Sequence, residues 1–425
     1  MIPRLAKVLK WAVFSLALLT LLAIGRDALG LNPAEEAAAA YRHDLVAWHL
    51  ANFPSKWIHR LVTALPWNSP SEMDKRRQIE EFFGLAEHAS RIRSEIEGVV
   101  AGTTRDAGTN IGKLEAELEQ LTARRNELRN DVEETLEAVI SAVIVEEGIA
   151  SWGEFMFPPV DVRLTDLPKL LMTSPRDAII RTHEVLLDSR IKVSEREEVE
   201  AKLLDEVDLA ALVLNIGGVA TYPASVPRAR PLRWTLQTSA HEWLHHYFYF
   251  KPLGQNLHSS RNMRILNETM ADIAGREIGD RAFRRLGGTI DQSPPVNVEA
   301  SPEMDQTPEQ AGGFEFRPEM RKTRLRVDEL LADGRIEEAE AYMEQRRIVF
   351  VENGFLIRKL NQAFFAFNGT YAESSASISP IGDELREYNA LFPDLGDFIT
   401  GIAGVSDYGQ FIRELEQMKA RSVDD

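Results

Sequence analysis

With 425 residues, 44% of them hydrophobic, the chain can bury a sizeable core, and its length allows two or three structural units. A formal net charge of -17, from 49 basic and 66 acidic residues, disfavours a phosphate-backbone partner, so nucleic acid is not expected as a ligand. The lack of cysteine excludes disulfides, thiolate metal ligands and a cysteine nucleophile together, and leaves the compartment to be read elsewhere.

The run from Trp11 to Gly25 is apolar and uncharged, and Arg4, Lys7 and Lys10 precede it. With Val8 and Leu9 included and Lys10 snorkelling, it approaches the roughly 20 residues that cross a hydrocarbon core. Residues 1–30 are therefore expected to form a single-pass transmembrane anchor, with the chain after Arg26 outside the cytoplasm. The alternative is a secretory signal cleaved near Ala23 and Gly25 or Ala28 and Gly30, which gives a secreted protein. Residues 31–75 read as a membrane-proximal helical segment, Ala-rich from Glu35 to Tyr41. In it Trp48, Phe53, Trp57 and Trp67 suit either a lipid interface or packing against the following domain.

Residues 76–148 are helical and charged. Ile111, Leu114, Leu118, Leu121, Leu128, Val132 and Val139 follow steps of three and four, with Arg125 and Thr135 at two seam positions. A looser apolar stripe from Ile79 to Val100 precedes them, and Gly102, Gly108 and Gly112 can turn the chain between the two arms. The pattern predicts a coiled-coil helical hairpin, with self-association or a coiled-coil partner as the second reading.

From residue 155 to 290 short β-rich runs, Val160–Leu164, Lys169–Thr173, Ala178–Leu187 and Leu209–Ile216, predict a mixed sheet, with an acidic helix from Ser194 to Val207 before the last of them. Thr235–Phe248 then carries H-E-x-x-H at His241, Glu242 and His245. Residues four apart share a helix face, so the two imidazoles can converge on one cation, and imidazole is a preferred zinc ligand. Glu242 is placed to reach a water at that cation and act as general base. A second stretch, Asn267–Ala274, returns at a helix, turn, helix spacing: Glu268 completes a His, His, Glu set with one open position. Asp272, one turn on, can accept a hydrogen bond from the outer nitrogen of His241 and fix its tautomer. His246 and His258 read as packing or surface residues, since three ligand positions are already filled.

These residues resemble the gluzincin metallopeptidases, the thermolysin-like clan, in which H-E-x-x-H is followed by a helix bearing N-E-x-x-x-D, here Asn267, Glu268 and Asp272. The likeness covers about Thr235 to Gly279. No metzincin extension follows His245, and a deformylase site would need a cysteine. The resemblance implies an α+β, zincin-like catalytic domain with a Zn2+ ion and a mostly helical lower subdomain after the metal helix. It also implies that Gly217–Pro223 is an edge strand that pairs with extended substrate; an ordinary hairpin is the alternative. Residues 291–316, rich in Pro, Gly and acids, read as a linker or loop, and 317–425 as the helical subdomain, with Val327–Gln345 and Phe355–Phe367 as helices. Tyr371, in a polar loop of that half, is the candidate donor to the oxyanion.

The expected activity is zinc-dependent hydrolysis of peptide bonds in a peptide or protein substrate. The competing classes are a non-catalytic zinc protein that binds peptides, and a coiled-coil scaffold at the membrane.

Overall fold

The computed structural model describes residues 30–63, 70–100, 111–149, 151–152, 155–290 and 314–424. The fold is α+β and mostly helical. After a short helix α1 (Pro33–Ala37) come α2 (Leu45–Thr63) and two long helices, α3 (Glu72–Val100) and α4 (Ile111–Glu146). Gln78 donates to Asp131 at 3.0 Å, Arg124 to Glu81 at 2.6 Å, and His88 lies 3.3 Å from Glu117, so α3 and α4 run antiparallel as the two arms of a hairpin. Their contact buries Ile79 and Phe82 against Leu128 and Val132. Beyond that point the buried stripe becomes Leu136, Ile140, Val143 and Ile144, while Val139 is only partly buried. The stripe shifts because the end of α4 leaves α3 and enters the core of the following domain. At the seam, Arg125 is accommodated with its guanidinium 4.5 Å over the Phe82 ring.

The charged face of α2 docks on this assembly. Lys56 is buried among Glu133, Glu137 and Asp161, and Arg60 pairs with Glu137 and Asp161. Buried cations are tolerated only with such partners. The side chains of Phe53, Trp57 and Trp67, invoked for a lipid interface, lie outside the described residues.

Among the described residues no helix is long and apolar enough to cross a bilayer, which overturns the expected single-pass membrane protein. The apolar run Trp11–Gly25 itself lies outside the described residues.

The strands form separate small sheets instead of one mixed sheet. A two-stranded ribbon, β1 (Ser151–Trp152) and β2 (Phe155–Met156), precedes β3 (Val162–Thr165), β4 (Lys169–Pro175), β5 (Glu184–Leu187), α5 (Val193–Val207), β6 (Leu209–Leu214) and β7 (Ala224–Pro227). β4 is central in the antiparallel order β5-β4-β6, with Leu171 opposite both Val185 and Val213. Alternation puts Leu171 and Val213 against α5, and Leu170, Met172, Leu212 and Leu214 against the C-terminal helices. The strand expected from Ala178 begins only at Glu184, because the Ser174 hydroxyl donates to the Ala178 carbonyl and accepts from the Ile180 amide, closing a loop there. Gly217–Pro223 is not a strand either: it makes one bridge, Val219 to Ser225, and the true strand β7 lies beyond Pro223, parallel to β3.

The metal-motif helix α6 (Leu232–Tyr249) follows, then the short α7 (Pro252–Gln255) and α8 (Arg261–Arg285). Residues 291–313 of the expected linker lie outside the described residues, and helix begins again at Phe316. The C-terminal half is α9 (Phe316–Ala332), α10 (Ile336–Glu352), α11 (Gln362–Asn368), α12 (Ile381–Asn389), α13 (Leu395–Ala403) and α14 (Tyr408–Asp424). The helix expected over Val327–Gln345 is split by Gly334, at φ 72, into the paired arms α9 and α10, and Phe355–Leu360 is irregular rather than helical, with the Ile357 amide donating to the Phe355 carbonyl.

Candidate metal centre

Helix α6 is central: Leu236, Ala240, Leu244 and Phe248 are fully buried, and Trp243 donates its indole N–H to the Pro158 carbonyl at 2.8 Å. Helix α8 crosses it at backbone contact through Gly275 and Gly279. A Cβ at Gly275 would lie 2.9 Å from the His241 Cα, and one at Gly279 would lie 2.5 Å from the Gln237 Cα. These glycines share one face of α8, four residues apart, and their missing side chains set how near Glu268 comes to the two histidines.

His241 Nε2 and His245 Nε2 are 3.0 Å apart, and Glu268 Oε2 lies 3.8 Å from the first and 3.5 Å from the second. Ligands of a tetrahedral ion at about 2.0 Å stand about 3.3 Å from one another, so the observed triangle has the size such an ion requires. His241, His245 and Glu268 are thus a partly to fully buried group that can hold a metal ion. Electrostatics agree with that use. Burial, reinforced by His245, pushes His241 down to about 3, while on His245 burial is outweighed by the Glu268 carboxylate, which holds that imidazole up at about 9. Burial opposes the charged form of Glu268, yet His245 brings it down to about 2. A proton on His245 therefore occupies the place where a cation belongs, and binding a metal must release it.

Glu242 is buried beside this triangle, and burial pushes its carboxyl up to about 8. Its Oε1 lies against the backbone of Gly218, where a Cβ would be only 2.0 Å away. The segment expected to be an edge strand is instead the wall that holds Glu242. His246 fixes that wall from the helix, its Nε2 2.8 Å from the Thr221 carbonyl oxygen, a packing role as the sequence suggests. His258 lies 2.9 Å from Arg264 and is no ligand. Asp272 Oδ1 stands 3.9 Å from His241 Nδ1, a charge contact longer than a hydrogen bond, and Arg276 holds the other carboxylate oxygen at 3.6 Å.

The triangle opens into a cleft of about 1040 Å³ that is lined mainly by apolar groups, among them Leu170, Leu186, Ile216 and Phe367. Tyr371 lines the same cleft, buried, with its ring packed edge-on to Phe367 at 5.8 Å. The C-terminal half therefore supplies one wall. Sequence reasoning missed the parts played by Gly218 and Arg181, and named Asn267 only as a member of the second motif. Arg181 is the guanidinium of the cleft, held by Glu184 and Thr370. Asn267 is buried next to His245. The Gly217-Gly218 pair is a legible mark of close backbone approach, whereas nothing in the sequence singles out Arg181.

No family model, no curated protein and no solved structure matches this chain.

Proposed function

We propose that the chain is a zinc-dependent peptidase of gluzincin type, with the ion held by His241, His245 and Glu268. The observation that carries this reading is the meeting of that N, N, O triangle with a separate, buried carboxylate, Glu242, at the floor of one cleft. Zinc bound there supplies Lewis acidity toward a carbonyl and makes a nearby water more acidic. Glu242 accepts the proton of the attacking water and returns it to the leaving amine nitrogen, as a buried carboxylate beside the ion can. Gly218 keeps that carboxylate in one position, and Asp272, 3.9 Å from His241 Nδ1, places a negative charge beside that ligand. The apolar walls exclude water and accept peptide side chains. Tyr371, on the part of the cleft wall supplied by the C-terminal half, is the donor assigned to the oxyanion.

The test combines metal analysis with peptide cleavage by the full chain. Wild type is expected to carry about one zinc and to cut members of a diverse peptide library. Glu242→Gln should retain the zinc and lose at least about 100-fold in rate. Undiminished zinc in His245→Ala, or an active Glu242→Gln, sinks the reading. A zinc-loaded wild type that cuts nothing points to a peptide-binding protein without catalysis.

A further inference from the structure

A second cavity, of about 390 Å³, adjoins the cleft at Ile216, which lines both. The two meet at the paired ends of β4 and β6, where Leu170 faces the cleft while its neighbour Lys169 faces the second cavity. The chemistry changes across that boundary. Arg93, Lys169, Arg190, Arg228 and Arg230 line the second cavity, and Asp166 is the one acidic residue that does. In a chain of net charge -17 that is a local excess of positive charge, even with Arg228 paired to Asp166 and Arg190 paired at 3.0 Å to Asp188 beside the cavity.

Several of these cations are held in place by the fold. Arg228 makes a two-pronged bond to Asp166, at 2.8 and 2.5 Å, and its carbonyl accepts from the buried Arg125. Lys169 donates to the neutral Asn215 amide, and the guanidinium of Arg230 lies 4.9 Å over the Trp234 ring. Arg93, half-buried on the hairpin, makes no ion pair with a described carboxylate. The crowding is felt behind the cavity, where Arg125 is brought down to about 10, by burial and then by Arg228 and Arg93. Like charges are kept together at this cost, and an anion entering the cavity relieves it.

We propose that the substrate cleft continues past Ile216 into this basic cavity, which receives an acidic side chain of the peptide. The inference rests on reading the cleft as a peptidase site and adds the class of substrate: peptides with Asp or Glu displaced from the scissile bond toward the start of β4. Arginine is suited to the task because its planar fork pairs with both carboxylate oxygens. Repulsion from the rest of the acidic chain is screened within about 8 Å at physiological salt, so the local cations decide what binds.

The test uses the zinc-loaded full chain and a peptide series carrying a single Asp at successive positions, each with an Asn counterpart. At one position or a neighbouring pair, the Asp peptide should have a KM about tenfold below its Asn counterpart, and the difference should shrink as NaCl is raised. In an Arg93→Ala, Arg190→Ala double variant the ratio should fall to about one, and the corresponding double Lys variant should keep most of it. A labelled, non-cleavable version of each pair gives the same comparison by fluorescence anisotropy. Equal KM and equal affinity for Asp and Asn at every position overturn the inference, as does a preference that survives in the double Ala variant. If no peptide is cut at all, the peptidase reading fails, and anisotropy alone then judges the cavity by the same two criteria.

Discussion

Gly218 and Glu242 touch so closely that no side chain fits between them: a Cβ on the glycine would stand 2.0 Å from Glu242 Oε1. The obstacle is the far end of a flexible side chain, so a substitution moves the carboxylate rather than the backbone. Gly218→Ala is therefore expected to fold with a Tm near that of wild type and to bind zinc normally. It should nevertheless lose about 100-fold in kcat, the scale of a displaced general base. Zinc analysis beside single-turnover rates checks this, and a fully active Gly218→Ala would refute the assigned role of the wall.

Asp272 and Arg276 predict a different signature. Removing the charge next to His241 Nδ1 in Asp272→Asn perturbs the ligand, not the base. Zinc affinity should fall by about 10- to 100-fold and activity should return in part with excess zinc. Titration against a chelator of known affinity reads the first effect. Unchanged affinity would leave Asp272 with a packing role only.

The glycine contact between α6 and α8 can be tested without touching a ligand. Gly279→Ala places a methyl 2.5 Å from the Gln237 Cα, where backbone has to give way, so the expected cost is about 1–3 kcal/mol. Because the same crossing sets the distance from Glu268 to the histidines, zinc affinity should fall together with stability. Denaturant unfolding with and without zinc separates the two effects.

Acid should weaken one wall of the cleft through Glu184. Burial raises its carboxyl, but Arg181 and Arg264 outweigh burial, and the net shift is downward. A depressed carboxyl contributes stability above its unfolded value of about 4.3 and loses it as pH falls through the lowered value. Glu184→Gln should be less stable than wild type at pH 7, with the gap closing as the pH is lowered below about 4. Parallel melts across that range measure it.

Much of the candidate site was legible because helix period fixes it: His241, His245, Glu268 and Asp272 are separated by whole turns on two helices, and the structure brings all of them to one place. The hairpin was legible for the same reason, from a seam that Leu128 and Val132 do occupy. Strand readings fared worse. Ala178–Leu187 has strand composition over its whole length, but one hydroxyl, that of Ser174, satisfies backbone groups that a ladder would otherwise need. Gly217–Pro223 was assigned by likeness to an edge strand, and its two glycines instead serve a close approach to Glu242. Composition could not show that Lys56 is buried either, since its partners come from α4 and the segment before β3.

That last cluster determines how small a folding fragment of this protein can be. A chain shortened to start after Thr63 would lose Ala34 and Ala38 from the core they share with Leu171 and Val213, and Glu137 and Asp161 would lose both of their cations, Lys56 and Arg60. Asp161 immediately precedes β3, β3 pairs with β7, and β7 leads into the helix that carries His241 and His245. The N-terminal limit of the folding unit is accordingly set by electroneutrality as well as by packing, and trimming to the edge of the half that carries the candidate metal site would cut through a charge balance next to that site.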